Sequence, residues 1–315
     1  NLNFGVMVQP QQSKYIQDYQ GVHVDTVRNV VNVSPTLDFR YRFSKMSNLR
    51  INYRGTTSQP SISQLLDITD NSDPLNISMG NPGLKPSFTQ NFRLFYNNFV
   101  QNHNKGIMTF VNFSTTNNSI SNKVTYDETT GGRITRPENI NGNWNAMGAF
   151  MFNCSIDSAG VWNINTGAHA NYNNYVSYLS LDKKSDSQKN TTRSITWRQN
   201  LSFSYRNDWA EFSLDGTLTY NKAKNKLQPT SNLETWQFSY GPSMTLTAPW
   251  GTSLNSSLSI NSRRGYNDSS MNTDEFVWNA QLSQGFLKGK PLTIMLQFYD
   301  LLRQQSTFSR AISAT

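Results

Sequence analysis

A strict two-residue period is the feature of this sequence that most narrows what it can fold into. Val33, Leu37, Phe39, Tyr41 and Phe43 alternate with Ser34, Thr36, Asp38, Arg40, Arg42 and Ser44. In an extended strand such a pattern sends apolar side chains to one face and polar ones to the other. The alternation returns throughout the chain, in Phe4, Val6 and Val8, in Leu49, Ile51 and Tyr53, in Leu94 and Tyr96, and in Val111 and Phe113. It continues through Phe150, Phe152 and Cys154, Trp162 and Ile164, Leu201, Phe203 and Tyr205, Phe212 and Leu214, Phe276 and Trp278, and Ile294, Leu296 and Phe298. Its longest run joins Trp236, Phe238, Tyr240, Met244, Leu246, Ala248 and Trp250, with a tryptophan at each end as membrane interfaces favour. These segments predict about thirteen antiparallel strands.

The connections differ at the two ends of the strands. Short polar turns are expected at 45–48, 101–105, 157–160, 206–209 and 288–291, and long outlets at 54–92, 115–143, 182–192, 222–232 and 263–273. Short turns on one side and long loops on the other are the habit of bacterial membrane barrels, whereas a soluble sandwich has no reason for the asymmetry. Composition agrees. Of 315 residues only 36% are hydrophobic, and mean hydropathy is −0.60, low for one solid core. Aromatics at 12% and the alternation argue against disorder. No apolar run reaches the roughly 18 residues of a membrane-crossing helix. A closed sheet needs none, and closure is expected because an open sheet of this size exposes free edges and a broad apolar face.

The net charge of +8 is spread along the chain without a basic run, so no nucleic-acid partner is expected. The lone Cys154 excludes an intramolecular disulfide and a cysteine metal cluster, and its parity with Phe150 and Phe152 makes it a lipid-facing filler. His23, His103 and His169 have no partners at metal-binding spacing, and no nucleophile, histidine and orienting group are gathered, so neither a cofactor nor enzyme activity is expected. Asp38, Arg40, Arg42, Arg50, Arg54, Arg93 and Arg198 share the polar parity, which makes them lumen-facing. Such a set either hydrates the lumen by mutual pairing or contacts whatever occupies it.

One stretch, 54–92, breaks the alternation with turn chemistry. Pro60, Pro74, Pro82 and Pro86 fix φ, Asn71, Asp73 and Asn81 can bond nearby backbone, and Gly80 and Gly83 permit φ > 0. Gln59-Pro60-Ser61-Ile62 with Leu65, Asp73-Pro74-Leu75, and Gly80-Asn81-Pro82-Gly83-Leu84-Lys85-Pro86 together resemble the signature loop of TonB-dependent outer-membrane receptors, most of all the Bacteroidetes outer-membrane β-barrel family. Ser87 stands where that family usually has Glu.

The resemblance implies an all-β, transmembrane, antiparallel up-and-down barrel of roughly 22 strands with a plugged lumen, of which residues 1–315 are the C-terminal portion. The signal peptide, plug domain and final strand are expected to lie outside them. It implies nutrient uptake driven by a TonB–ExbB–ExbD motor acting through the plug. Its partners would be the chain's own plug domain, outer-membrane lipid and, as an open question, a surface lipoprotein lid. The residues it marks for substrate or plug contact are Arg54, Gln59, Pro60, Gly80, Asn81, Pro82, Leu84, Lys85 and Pro86, with Arg40, Arg42 and Arg93 from the lumen wall. Two alternatives stay open: an energy-independent barrel acting as porin or envelope scaffold, and a soluble β-rich glycan-binding adhesin.

Overall fold

The computed structural model describes residues 1–19, 22–66, 69–70, 72–126, 132–180, 186–286 and 292–305. Its strands are β1 (Leu2–Tyr19), β2 (Val22–Ser44), β3 (Ser47–Ser58), β4 (Thr69–Asp70), β5 (Asn76–Met79), β6 (Ser87–Val100), β7 (Lys105–Asn117), β8 (Ser119–Tyr126) and β9 (Arg133–Ile140). They continue as β10 (Asn143–Ser155), β11 (Trp162–Leu179), β12 (Gln188–Arg206), β13 (Ala210–Asn225), β14 (Leu233–Thr247), β15 (Thr252–Arg264), β16 (Asp274–Phe286) and β17 (Leu292–Phe298). Thirteen of them form one sheet in the order β1-β2-β3-β6-β7-β10-β11-β12-β13-β14-β15-β16-β17, each pair antiparallel. The remaining four make a second sheet, β4-β5-β9-β8.

Register decides the faces, because residues directly opposite in a ladder share one side. One row runs Leu2, Phe39, Ile51, Leu94, Val111, Gly148, Ala170, Trp197, Tyr220 and Trp236 from β1 to β14. The row one residue away runs Asn3, Asp38, Asn52, Arg93, Asn112, Met147, Asn171, Thr196, Asn221 and Thr235. The alternation in the sequence is therefore resolved into an apolar face and a largely polar one across the whole sheet. Phe4 (74% exposed), Leu201 (54%) and Leu214 (57%) show that the apolar face is not covered by protein among the described residues.

Aromatic side chains collect at both ends of the apolar face. Toward the long loops, Tyr53, Phe92, Phe113, Trp144 and Tyr172 follow one another at ring separations of 4.7, 6.3, 5.9 and 4.9 Å. Toward the short turns stand Tyr41, Phe43 and Tyr96, and the cluster of Trp162, Phe203, Tyr205 and Phe212. Pairs at such distances add about 0.5–1.5 kcal/mol each beyond area burial, and two belts bracketing an apolar band are the pattern of a membrane-spanning sheet.

The short turns are closed by local bonds. Asp157 accepts from the Trp162 and Val161 backbone N–H groups at 2.7 and 3.1 Å, which hold its carboxyl below the ordinary range, and Gly160 supplies the left-handed residue at φ +74°. The turn expected at 288–291 lies outside the described residues. Elsewhere the strands overrun their predicted ends. β13 continues to Asn225, inside the outlet expected at 222–232, and β1 and β2 pair as far as Tyr19 and Val22, well beyond the alternation of Phe4, Val6 and Val8. Beyond the bilayer a ladder needs no apolar stripe, so periodicity loses its trace there while pairing goes on.

Two expected loops are corrected. The 115–143 outlet is largely the β8–β9 hairpin, with Arg136-Pro137-Glu138-Asn139 inside β9. Pro137 is tolerated because the β5–β9 ladder ends at Thr135, leaving no inter-strand bond on that side for the missing N–H. Within 54–92 lie a helical turn, α1 (Ile62–Leu65), and β4 and β5. Asp67, Asn71 and Gly131 fall outside the described residues.

Candidate functional site

The signature residues are built into a cap on the long-loop end of the sheet. Ser61 opens α1 with a reciprocal capping box: its Oγ accepts from the Gln64 N–H at 3.3 Å, and Gln64 Oε1 accepts from the Ser61 N–H at 3.0 Å. Arg28 of β2 donates Nη1 to the Pro60 carbonyl at 3.1 Å and Nη2 to Gln59 Oε1 at 3.2 Å. Gln59 Nε2 donates onward to Asn32 Oδ1 at 2.9 Å, and Asn32 Nδ2 to Gln11 Oε1 at 3.0 Å. An amide relay thus ties the Gln59-Pro60 step to β1 and β2. Sequence reasoning missed Arg28, whose one signal is a cation standing among Val27, Asn29 and Val30 without an adjacent carboxylate.

The Gly80–Pro86 segment is docked from both ends. The Asn81 N–H donates to the Gln64 carbonyl at 2.6 Å, and a Cβ on Gly80 would overlap the Leu66 carbonyl, whose carbon lies 2.7 Å away. Neither Gly80 nor Gly83 uses the positive φ that glycine permits, and Gly80 is needed instead for close backbone approach. Asn81 Oδ1 accepts from the Gly83 N–H at 3.0 Å and from Arg136 Nη2 at 3.1 Å, while its Nδ2 donates to the Pro137 carbonyl at 2.9 Å. Asn139 works in the same way. Its Oδ1 accepts from the Lys85 N–H at 2.7 Å, and its Nδ2 donates to the Lys85 and Asn118 carbonyls at 3.0 and 2.9 Å. Pro60, Gly80 and Leu84 are buried, Asn81 and Pro86 are half-buried, and Pro82 and Lys85 are exposed.

The cap is braced beyond the signature. β5 runs parallel to β9, with Asn76 opposite Arg133, and Asp73 accepts from Asn76 Nδ2 and the Leu75 N–H, which hold its carboxyl below the usual range. The far edge of β8 is covered by Ser187, which donates its N–H to the Val124 carbonyl at 2.7 Å and accepts the Val124 N–H on Oγ at 2.8 Å. The cap therefore has a fixed shape. Asn139→Ala removes three bonds from a half-buried site, at about 1–3 kcal/mol for the groups left unpaired. Hydrogen–deuterium exchange should rise over residues 80–86 with the thirteen strands unchanged, and unchanged exchange there contradicts the clamp.

The predicted arginines lie elsewhere, on the polar wall. Arg40 is directly opposite Arg50, Arg42 opposite Asn48, Arg54 opposite Thr36 and Asn91, and Arg93 opposite Asn52. From the Asn48 row to the Arg54 row is about 20 Å at the usual rise. Asp38 offsets the Arg40–Arg50 repulsion, accepting from Arg40 Nε at 2.6 Å, from Arg50 Nη2 at 3.3 Å, and from Asn52. The structure thus divides the predicted residues into a cap and a wall, with Arg54 nearest the junction. The histidines are scattered: His103 lies in a left-handed turn against the Ser155 carbonyl, His169 opposite Arg198, and His23 beside Asp18.

A family model described as an outer membrane protein beta-barrel family matches residues 12–210, from β1 to the start of β13 and including the whole cap hairpin. Neither the curated proteins nor the solved structures gave a match.

Proposed function

Since this chain belongs to the outer membrane protein beta-barrel family, we propose that it is the barrel wall of a TonB-dependent receptor of the Bacteroidetes type, taking up a nutrient across the outer membrane in which it resides. The observation that carries this reading is the preorganised cap. A porin needs only a hydrated opening, whereas here the Gly80–Pro86 segment is held by Asn81 and Asn139 from two directions, as a surface that must present fixed contacts is held. The two-faced sheet is the matching transmembrane element.

In this reading β1 and β17, the two edges of the sheet, are joined by further strands, because unpaired strand edges are not tolerated in hydrocarbon. A plug domain fills the lumen, the TonB–ExbB–ExbD motor acts on the plug, and a surface lipoprotein closing over the cap is compatible with its exposed Pro82 and Lys85. The wall and cap carry no catalytic role.

Removing residues 67–85 from the full-length protein tests the reading. Barrel insertion, read by heat-modifiable migration of outer-membrane fractions, should persist while growth that depends on the receptor is abolished. Unimpaired growth contradicts it. An energy-independent barrel would use the same polar wall, and collapsing the inner-membrane proton gradient separates the two, since uptake should stop only in the coupled case.

A further inference from the structure

Resting on the reading that the polar face lines an uptake lumen, we propose that the wall formed by β2, β3 and β6 binds a small multivalent oxyanion, of the polyphosphate or polycarboxylate class. Charge accounting on this wall leads there. Elsewhere on the sheet several cations are matched with a carboxylate, Lys222 with Glu234 at 2.6 Å, Arg206 with Glu211 at 2.7 Å and Arg264 with Asp274 at 2.7 Å, while among the described residues Lys105, Arg193 and Arg198 have no such partner. On this wall Arg40, Arg42, Arg50, Arg54 and Arg93 face a single carboxylate, Asp38, whose oxygens are already taken by Arg40, Arg50 and Asn52. Neither β3, β6, β7 nor β10 contains an Asp or Glu. Among the described residues Arg42, Arg54 and Arg93 have no ion-pair partner.

The guanidinium groups also surround space of the right size. One depression of about 450 Å³ is lined by Asp38, Arg50, Asn52, Arg54 and Arg93, and an adjoining one of about 680 Å³ by Arg40, Arg42, Asn48 and Arg50, so Arg50 is shared. Planar forks along a rigid ladder suit oxyanions, which each fork can grip with two parallel N–H bonds. A ligand carrying several anionic groups can engage successive rows, whereas a neutral sugar would leave the cations unmatched. Asp38 has a positioning role, holding Arg40 and Arg50 side by side against their mutual repulsion.

Calorimetric titration of the full-length protein in detergent micelles with inorganic tripolyphosphate, and separately with citrate, tests the proposal. Saturable binding of either probe is expected, about tenfold or more weaker in Arg54→Gln/Arg93→Gln and weakened by salt. Among the described residues neither side chain has a bonded partner, so the double variant should fold, and Arg206→Gln, at the end of β12 away from this wall, should bind as the unaltered protein does. Absence of saturable binding by both probes, or equal binding in the double variant, overturns the proposal. Neither result depends on energised uptake, so the proposal can fail while the receptor reading stands; loss of the uptake reading would show instead in the 67–85 deletion.

Discussion

Ala170→Arg is expected to destabilise the folded protein in phospholipid vesicles by about 2–4 kcal/mol, a shift of roughly 30- to 1,000-fold in the folding equilibrium. Ala170 lies mid-strand in β11, exposed, in the row between Gly148 and Trp197. A guanidinium there would enter hydrocarbon with its nearest relief at the membrane surface. Its neighbour Asn171 points to the other face, between Met147 and Thr196. Asn171→Arg should therefore stay within about 0.5 kcal/mol of the unaltered protein, as for other solvated surface sites. Equilibrium unfolding in denaturant reads both variants, and equal stabilities would remove the distinction between the faces.

Gly80→Ala is the second large effect. The added methyl meets the Leu66 backbone carbonyl, and backbone cannot yield as the end of a flexible side chain can. Relief requires the Asn81 to Gln64 bond to open, and with it the position from which Asn81 reaches Arg136 and Pro137. Overpacking of this kind costs about 1–3 kcal/mol. Because it falls on one local unit, limited proteolysis should cut within the cap of the variant while the barrel strands stay protected. Gly83→Ala is the contrast: its Cβ would meet only Asn81 Oδ1, at 3.2 Å, and the residue is exposed. Equal resistance of all three proteins would show that the cap does not depend on the Gly80 approach.

The wall of this protein was legible in the sequence because strand faces obey a local rule. Val33 to Ser44 states its own parity, and the same parity assigned Arg40, Arg42, Arg54 and Arg93 to one side, as the ladder places them. The cap was legible only as a cluster of prolines, glycines and amides. What holds it joins residues far apart in sequence, Asn81 with Arg136 and Pro137, Asn139 with Lys85, Arg28 with Pro60, and no periodicity links such pairs. β4 is two residues long and β5 four, too short to show a period. The capping box of Ser61 and Gln64 was the one cap feature that spacing alone could have given. Gly80 was legible as part of the turn chemistry but its role was not, since a glycine read from sequence does not distinguish left-handed φ from lack of room for a side chain.

The most direct measurement concerns the apolar face itself. In a Cys154→Ala background, single cysteines at positions 168 to 173 carry an environment-sensitive fluorophore in the full-length protein reconstituted into vesicles. Labels at Ala168, Ala170 and Tyr172 should be quenched by brominated acyl chains, and labels at His169, Asn171 and Asn173 by aqueous iodide. Quenching that does not alternate, or that leaves the even-numbered positions open to iodide alone, contradicts a sheet whose apolar face meets the bilayer.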